Sequence, residues 1–417
     1  MTVPFFDPFV LGDDPFRHFA RMRAAGGIAR GMAPYPEIAG AYYVFSHELV
    51  SGVLKHPALL QAPPGTYEEV RRKLVDQAPM ALLTRSLLLA DPPHHGGLRR
   101  PVAGYLSRPA VETLSRGLRA LSRDLVDQAL DDGSIDTVAG LAVPVSFWLL
   151  QEILGLEIED PWALKSLTRR MASAFDLRKE QPAAASAEAC GECQAFVEER
   201  LARQAFRPDG MVAGMVREVT EGRWSREDMV ANVVFLLFAG QETVVDALGN
   251  AIVALDRFPE QRALLDRRAV DWNTAAAELL RYGASIHYAA TRIAAEDIDL
   301  GEIRIKAGEG VVPVLGSGNR DDAVFADGDR LDLTRSAALS MTFGTGLHVC
   351  LGQHVARIEI AAMIEALFTR APGWRLDAAN AKRRPSLTFY GMSAVPLILN
   401  RAGETDASAR GSPDRAT

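Results

Sequence analysis

Cysteine is scarce in this chain, with three in 417 residues. Three thiols build no disulfide framework, and they cannot hold an iron–sulfur cluster alongside another cysteine-bound group. Their scarcity points to a reducing cytoplasm. Positive charge is also short: 46 Lys and Arg against 53 Asp and Glu leave a net −7. No global basic field therefore recruits nucleic acid. No N-terminal apolar stretch reads as a signal peptide or a membrane anchor. The most apolar helical stretch, "MVANVVFLLFAG", reads as too short and too interrupted to span a bilayer. No GxGxxG follows a strand, which argues against a doubly wound nucleotide-binding fold. No internal repeat is visible.

What is present is a sizeable core: 48% of residues are hydrophobic and 24% charged, the balance of a soluble globular protein. Apolar residues recur near a 3.6 period in "DPFRHFARMRAAG", "SHELVSGVLKH", "PAVETLSRGLRALSRDLVDQAL", the long run from "SREDMV" to "VALDR", "TAAAELLRYG" and "LGQHVARIEIAAMIEALFTRA". Strand-like runs are short: "AYYVF", "IDLGEIRIKAGEGVVPVL" and "AVPLIL". The middle run is broken by glycines and predicts small hairpins. The fold class is mainly α with a minor β region. The alanine-rich "KEQPAAASAEACGE" reads as mobile, and residues 401–417 as a disordered tail.

The stretch "FGTGLHVCLG" sets Cys350 in a glycine-rich turn just before a helical pattern. A structural zinc needs four ligands, and no second Cys/His pair matches His348 and Cys350. A buried structural cysteine is the plainer alternative. Against it, Gly344 and Gly346 permit close backbone approaches, and a helix starts after Gly352. Helix N-termini stabilise thiolates, and a thiolate is the axial ligand of oxygen-activating haem enzymes. A second anomaly is "LLFAGQETVVDAL". Gly240 weakens a helix interior by about 1 kcal/mol relative to alanine, and Glu242 and Thr243 interrupt an apolar run. A Thr hydroxyl bonded back to a carbonyl can open a helix locally.

"FGTGLHVCLGQHVAR" resembles the haem-binding signature of the cytochrome P450 family, FGxGxHxCxGxxxAR, at every fixed position. "AGQET" is similar to the family's AGx[DE]T, "AELLR" to its ExxR, and "DPPHHGGLR" to its DPPxHxxLR. The resemblance runs from "DPFRHFARMRAAG" to "FYGMSAVPLIL". It implies the P450 fold, one catalytic domain over 1–400, and haem b with Cys350 as its axial thiolate. It implies that Phe343, Gly344 and Gly352 shape the cradle. His95, Arg99, Arg292 and His348 would hold the haem propionates. Ala239 and Gly240 would line the ring, Thr243 would hydrogen-bond during oxygen activation, and Glu242 would relay protons. Glu278 and Arg281 would form a buried structural pair. Gln241 is given no role. Gly96 and Gly97 depart from the family pattern and predict a looser helix start at His95.

The implied activity is that of a bacterial, ferredoxin-dependent type of monooxygenase. It would activate dioxygen to oxidise a hydrophobic small molecule such as a terpenoid, polyketide or fatty acid. Electrons would come from NAD(P)H through a separate ferredoxin and ferredoxin reductase. A haem-thiolate peroxygenase or isomerase is the alternative, and Glu242 and Thr243 argue against it. A haem sensor needs no proton relay. Substrate-facing stretches would be 60–89, the alanine-rich segment, 235–243, 284–290 and 389–394, with Phe235, Phe238, His287 and Met392 as candidate contacts. His287 either points away, satisfied by backbone, or is a polar handle in an apolar pocket. Arg85, Arg99, Arg100, Arg108, Arg116 and Arg357 would border the thiolate side as a basic patch. Cys190 and Cys193 form a CxxC inside a helical pattern, away from any βαβ unit, and read as structural.

Overall fold

The computed structural model describes residues 3–12, 14–32, 40–61, 78–173, 176 and 183–400. The expected C-terminal tail and residues 62–77 of the first substrate-facing stretch lie outside them.

Helices build the core. The longest, Arg226–Arg257, starts at a capping box: Ser225 Oγ accepts from Asp228 N at 3.0 Å, and Asp228 returns the bond to Ser225 N. This satisfies two N–H groups that a helix start otherwise leaves bare. The helix packs against Val143–Leu154, Pro161–Ala172, Ala183–Ala202 and Trp272–Tyr282. Gln353–Arg370 packs against Arg108–Asp132 and Trp272–Tyr282. Two segments, Thr137–Leu154 and Arg226–Arg257, are apolar and long enough to cross a bilayer, longer than the sequence reading allowed. Each has 67% of its apolar window buried inside the protein, so burial in the core accounts for their hydropathy.

The β part is larger than the short runs suggested. A six-stranded sheet has the order Phe5–Phe6, Ile28–Gly31, Ala41–Val44, Gly310–Pro313, Arg292–Ala294, Leu59–Leu60. Ala41–Val44 pairs in parallel with Gly310–Pro313, so two distant parts of the chain share one layer. Ile298–Leu300 and Ile303–Ile305 form the expected hairpin. Pro396–Ile398 pairs with Ser134–Asp136. The alanine-rich stretch expected to be mobile is helical from Ala183 to Ala202. Cys190 and Cys193 sit on that helix, both buried. Burial pushes their thiols up to about 11 and about 12, as fits inert core residues.

Candidate active site

The helix Gln353–Arg370 has no side-chain cap; Gly352 stands at its N-cap. Its first N–H groups are therefore free for another acceptor. Cys350 closes the turn that precedes it, donating its N–H to Phe343 O at 2.9 Å. Gly344 and Gly346 have φ of 63° and 75°, in the left-handed region that side chains disfavour. A side chain at 346 would also run into Leu54 O. Cys350 is open to solvent, yet enclosure by the surrounding chain leaves its thiol pKa raised on balance, although the Gly352 N–H and the guanidiniums of Arg99 and Arg357 pull it down. Arg99 is held in place by a 2.7 Å bond to Val349 O. Arg357 lies over the Phe343 ring.

Beside this turn the structure gathers two imidazoles and a third cation. His95 and His348 have ring centroids 4.6 Å apart, and Arg292 bears electrostatically on both. Burial, then Arg292, His95 and Arg99, lower His348 to about 3, so both rings are neutral near pH 7. Both ring nitrogens of His95 and Nη1 of Arg292 are buried with no partner among the described residues. Buried donors without acceptors are costly, and this set fits the two carboxylates of haem beside a thiolate. The helix carrying His95 runs His94–Ala103 with no side-chain cap at Pro93, and Trp224 Nε1 donates to Gly97 O at 3.1 Å.

Glu278 and Arg281 are fully buried and pair twice, Nε to Oε2 at 2.7 Å and Nη2 to Oε1 at 2.8 Å. Arg281 also donates to the carbonyls of Asn319, Gly328 and Arg330. Glu278 accepts from Asp332 N and from Arg335 Nε. The pair thus fastens the chain that leads to the cysteine turn. The sequence reading missed Arg335, because nothing local links residues 57 positions apart.

On the long helix, Thr243 Oγ1 donates to Ala239 O at 3.0 Å. The helix is nevertheless continuous, with no interruption where a gap was expected. Phe235, Leu236, Ala239, Gly240 and Thr243 are half-exposed within an otherwise buried stretch. Their spacing of three and four puts them on one face. Gly240 also has a packing reason: a Cβ there would lie 2.7 Å from Leu150 Cδ2.

Glu242 points elsewhere. It is fully buried, with Lys165 Nζ at 2.7 Å, Arg384 Nη1 at 2.8 Å and Thr168 Oγ1 at 3.0 Å. Arg384 Nη1 also reaches Asp246 at 3.1 Å. Gln241, given no role from sequence, accepts from Lys165 and Thr168. Burial pushes the Glu242 carboxyl up, but Lys165 and Arg384 outweigh it, and the net shift is downward. Asp246 is raised to about 7, chiefly by burial. Lys165 and Arg384 gave no sequence signal, since cations in amphipathic segments ordinarily face solvent.

The candidate substrate contacts scatter. Phe235 belongs to the half-exposed face. Phe238 meets Phe389 edge-on at 5.8 Å. Met392 instead packs on Gly249, six residues beyond Thr243, within the core. His287 is only partly satisfied: Nε2 has no partner among the described residues, and the ring stacks on Tyr390 at 4.3 Å. The expected basic patch divides. Arg99 and Arg357 turn to the cysteine turn, Arg85 lies 3.6 Å from Asp228, and Arg100, Arg108 and Arg116 remain exposed.

The family model described as Cytochrome P450 matches residues 273–370. Nocardicin C N-oxygenase of Nocardia uniformis subsp. tsuyamanensis is 33% identical over 90% of this chain and 92% of its own. The crystal structure of CalO2 superposes with a TM-score of 0.86 at 28% identity, covering 96% of this chain and all of that one. P450BioI, in complex with hexadec-9Z-enoic acid ligated acyl carrier protein, superposes at 0.83 and 25% identity, covering 93% of this chain and 99% of that one. The chain belongs to the cytochrome P450 family. It is accordingly a haem-thiolate monooxygenase that takes electrons from NAD(P)H through redox partners and oxidises a hydrophobic small molecule.

Proposed function

We propose that Cys350 is the axial ligand, that His95, Arg99, Arg292 and His348 hold the haem carboxylates, and that Phe343, Gly344 and Gly352 form the cradle. The observation that carries this reading is the set of unpartnered buried nitrogens on His95 and Arg292 beside the Cys350 turn. Haem supplies dioxygen activation and C–H oxidation when bound. The Gly352 N–H, Arg99 and Arg357 favour the thiolate form against the burial that opposes it. The half-exposed face from Phe235 to Thr243 orients an apolar substrate, with Ala239 and Gly240 leaving room for the ring. Thr243 Oγ1 handles the proton needed at the reacting oxygen. Glu242 would relay its replacement: on loosening from Lys165 the carboxylate takes up a proton from water and passes it on.

The substrate class is a hydrophobic natural product of secondary metabolism, such as a terpenoid, polyketide or fatty acid. Support comes from the apolar half-exposed face and from relatives named for nocardicin and for a fatty acyl chain. The electron donors are a ferredoxin and its reductase, and the location is cytoplasmic. The test is the optical spectrum of the reduced, carbon-monoxide-bound protein. The strongly red-shifted Soret band of thiolate ligation should vanish in Cys350→Ser and persist in Cys190→Ser/Cys193→Ser. Loss in the second variant alone overturns the assignment.

A further inference from the structure

Unpartnered buried polar atoms gather a second time, outside the haem cradle. A cavity of about 170 Å³ lies between the N-terminal segment at Leu11–Pro15 and the hairpin from Arg383 to Tyr390. Three of its lining residues carry such atoms: His287 Nε2, Tyr288 Oη and Arg383 Nη1. His287 and Tyr288 are almost wholly buried, at 1% and 4% exposure. Folded proteins rarely leave buried donors idle, and the other such cluster, at His95 and Arg292, fits an anionic ligand.

Arginines border the cavity, and they differ in how far acids already offset them. Arg383 lies over the Tyr390 ring, 4.2 Å from its centroid. Arg384 lines the same wall, and both of its inward contacts, to Glu242 and Asp246, use Nη1. Arg320 bears on His287 together with Arg383. The acids that face these groups are Asp14, towards Tyr390, Asp176, Glu242 and Asp246, towards Arg384, and Asp329, 3.1 Å from Arg320; Arg383 Nη1 has no partner among the described residues. The imidazole is neutral, held down to about 3 by burial and the two arginines. A neutral ring with a free nitrogen, a phenol and a guanidinium, all on residues lining the cavity, suit an oxygen-bearing ligand. Leu11, Pro15, Pro385 and Leu387 supply apolar wall.

We propose that this cavity binds a carboxylate carried by a small apolar molecule, with Arg383 as the cationic anchor and Tyr288 and His287 as hydrogen-bonding partners. The cavity touches the oxygen-activating helix through one hairpin. Phe389 meets Phe238, and Arg384 reaches Glu242 at 2.8 Å. An occupant therefore competes for the cation that holds Glu242. The carboxylate belongs either to a substrate whose other end reaches the haem or to a separate effector.

The test is calorimetric titration of the holoenzyme with dodecanoate and with 1-dodecanol, with the Soret band followed in parallel. Wild type should bind dodecanoate at least tenfold more tightly than the alcohol. Arg383→Gln should lose about tenfold for dodecanoate, and Tyr288→Phe a few-fold, with the alcohol unchanged, as expected for charge-assisted and neutral bonds. Binding with a spin-state shift assigns the carboxylate to the substrate; binding without one assigns it to an effector. Equal affinity of wild type for acid and alcohol overturns the proposal, as does dodecanoate affinity within twofold of wild type in both variants. The reduced carbon-monoxide spectrum checks that each variant is intact. A wild type lacking the red-shifted band would defeat the haem-thiolate reading while leaving the calorimetric comparison valid.

Discussion

Nζ of Lys165 lies 2.7 Å from Oε1 of Glu242, and the carboxylate is fully excluded from solvent. Arg384 reaches the other oxygen at 2.8 Å. Two cations and two acids, Glu242 and Asp246, thus share one buried cluster around the helix Arg226–Arg257. Removing one member of such a cluster strands a charge, which costs about 3–5 kcal/mol. Lys165→Met should therefore lower the urea midpoint of the holoenzyme markedly. Lys165→Met/Glu242→Gln should recover part of the loss, because the stranded acid is gone. The double-mutant cycle measures the coupling. Additive effects would mean that the two residues do not act as a pair.

Thr243 donates to Ala239 O rather than to any charged neighbour, and it sits on the half-exposed face. On the proposed role it meets the reacting oxygen from this face, while Glu242 faces the buried cations. Thr243→Ala should keep haem and consume NAD(P)H, yet release peroxide in place of product, with coupling falling about tenfold or more, the usual scale for a lost proton-transfer group. Thr243→Ser should retain most of the coupling. Unchanged coupling in the alanine variant would remove Thr243 from proton delivery.

How far these sites could be read from the sequence depended on reach along the chain. The spacing of Glu278 and Arg281 puts them on one helix face but by itself reads as an ordinary surface pair; their burial was legible only through the resemblance of "AELLR" to ExxR. Their extension to Arg335 and to the carbonyls of Asn319 and Gly328 was not, because tertiary folding alone brings those groups together. The cysteine turn was legible from its glycines, whose positive φ is a local demand. Lys165 and Arg384 were invisible for the opposite reason: each sits in a charged segment of ordinary appearance, and only the fold turns it inward. The same holds for the sheet. "AYYVF" announced a strand, but its parallel partner at Gly310–Pro313 lies some 270 residues away. The alanine-rich stretch misled in the other direction, since high helix propensity with little polarity resembles a linker until its buried face finds the long helix.

Glu359 is buried and accepts from Ser146 Oγ, and burial raises its carboxyl to about 8 from the model-peptide 4.5. The folded state therefore holds a proton that the unfolded chain releases. Stability from this group is full below about pH 4.5 and is lost as pH rises towards 8, at up to about 1.4 kcal/mol per pH unit. Asp246, raised to about 7, adds the same sign over a lower window. Glu359→Gln keeps an acceptor for Ser146 and removes the titration. Its urea midpoint should exceed that of wild type at pH 8.5 and match it near pH 5. A variant less stable than wild type at both pH values would show that the carboxyl is not protonated in the fold.

Arg100, Arg108 and Arg116 are the exposed remainder of the expected basic patch. Arg108 is shared with Glu112 at 2.7 Å, though both side chains are largely in solvent, so the pair screens little of its charge. Arg99 and Arg357 serve the cysteine turn and are unsuitable probes. If an acidic ferredoxin docks at these three arginines, first-electron transfer should slow several-fold between about 0.05 and 0.5 M salt, because exposed charges are screened beyond about 10 Å at 0.1 M. The variant Arg100→Gln/Arg108→Gln/Arg116→Gln should lose most of that salt dependence. Arg85→Gln, whose cation is already opposite Asp228, should keep it. Rates independent of salt in wild type would move the docking contact to apolar surface. Leu347, in the cysteine turn itself and 45% exposed, is then the residue to replace.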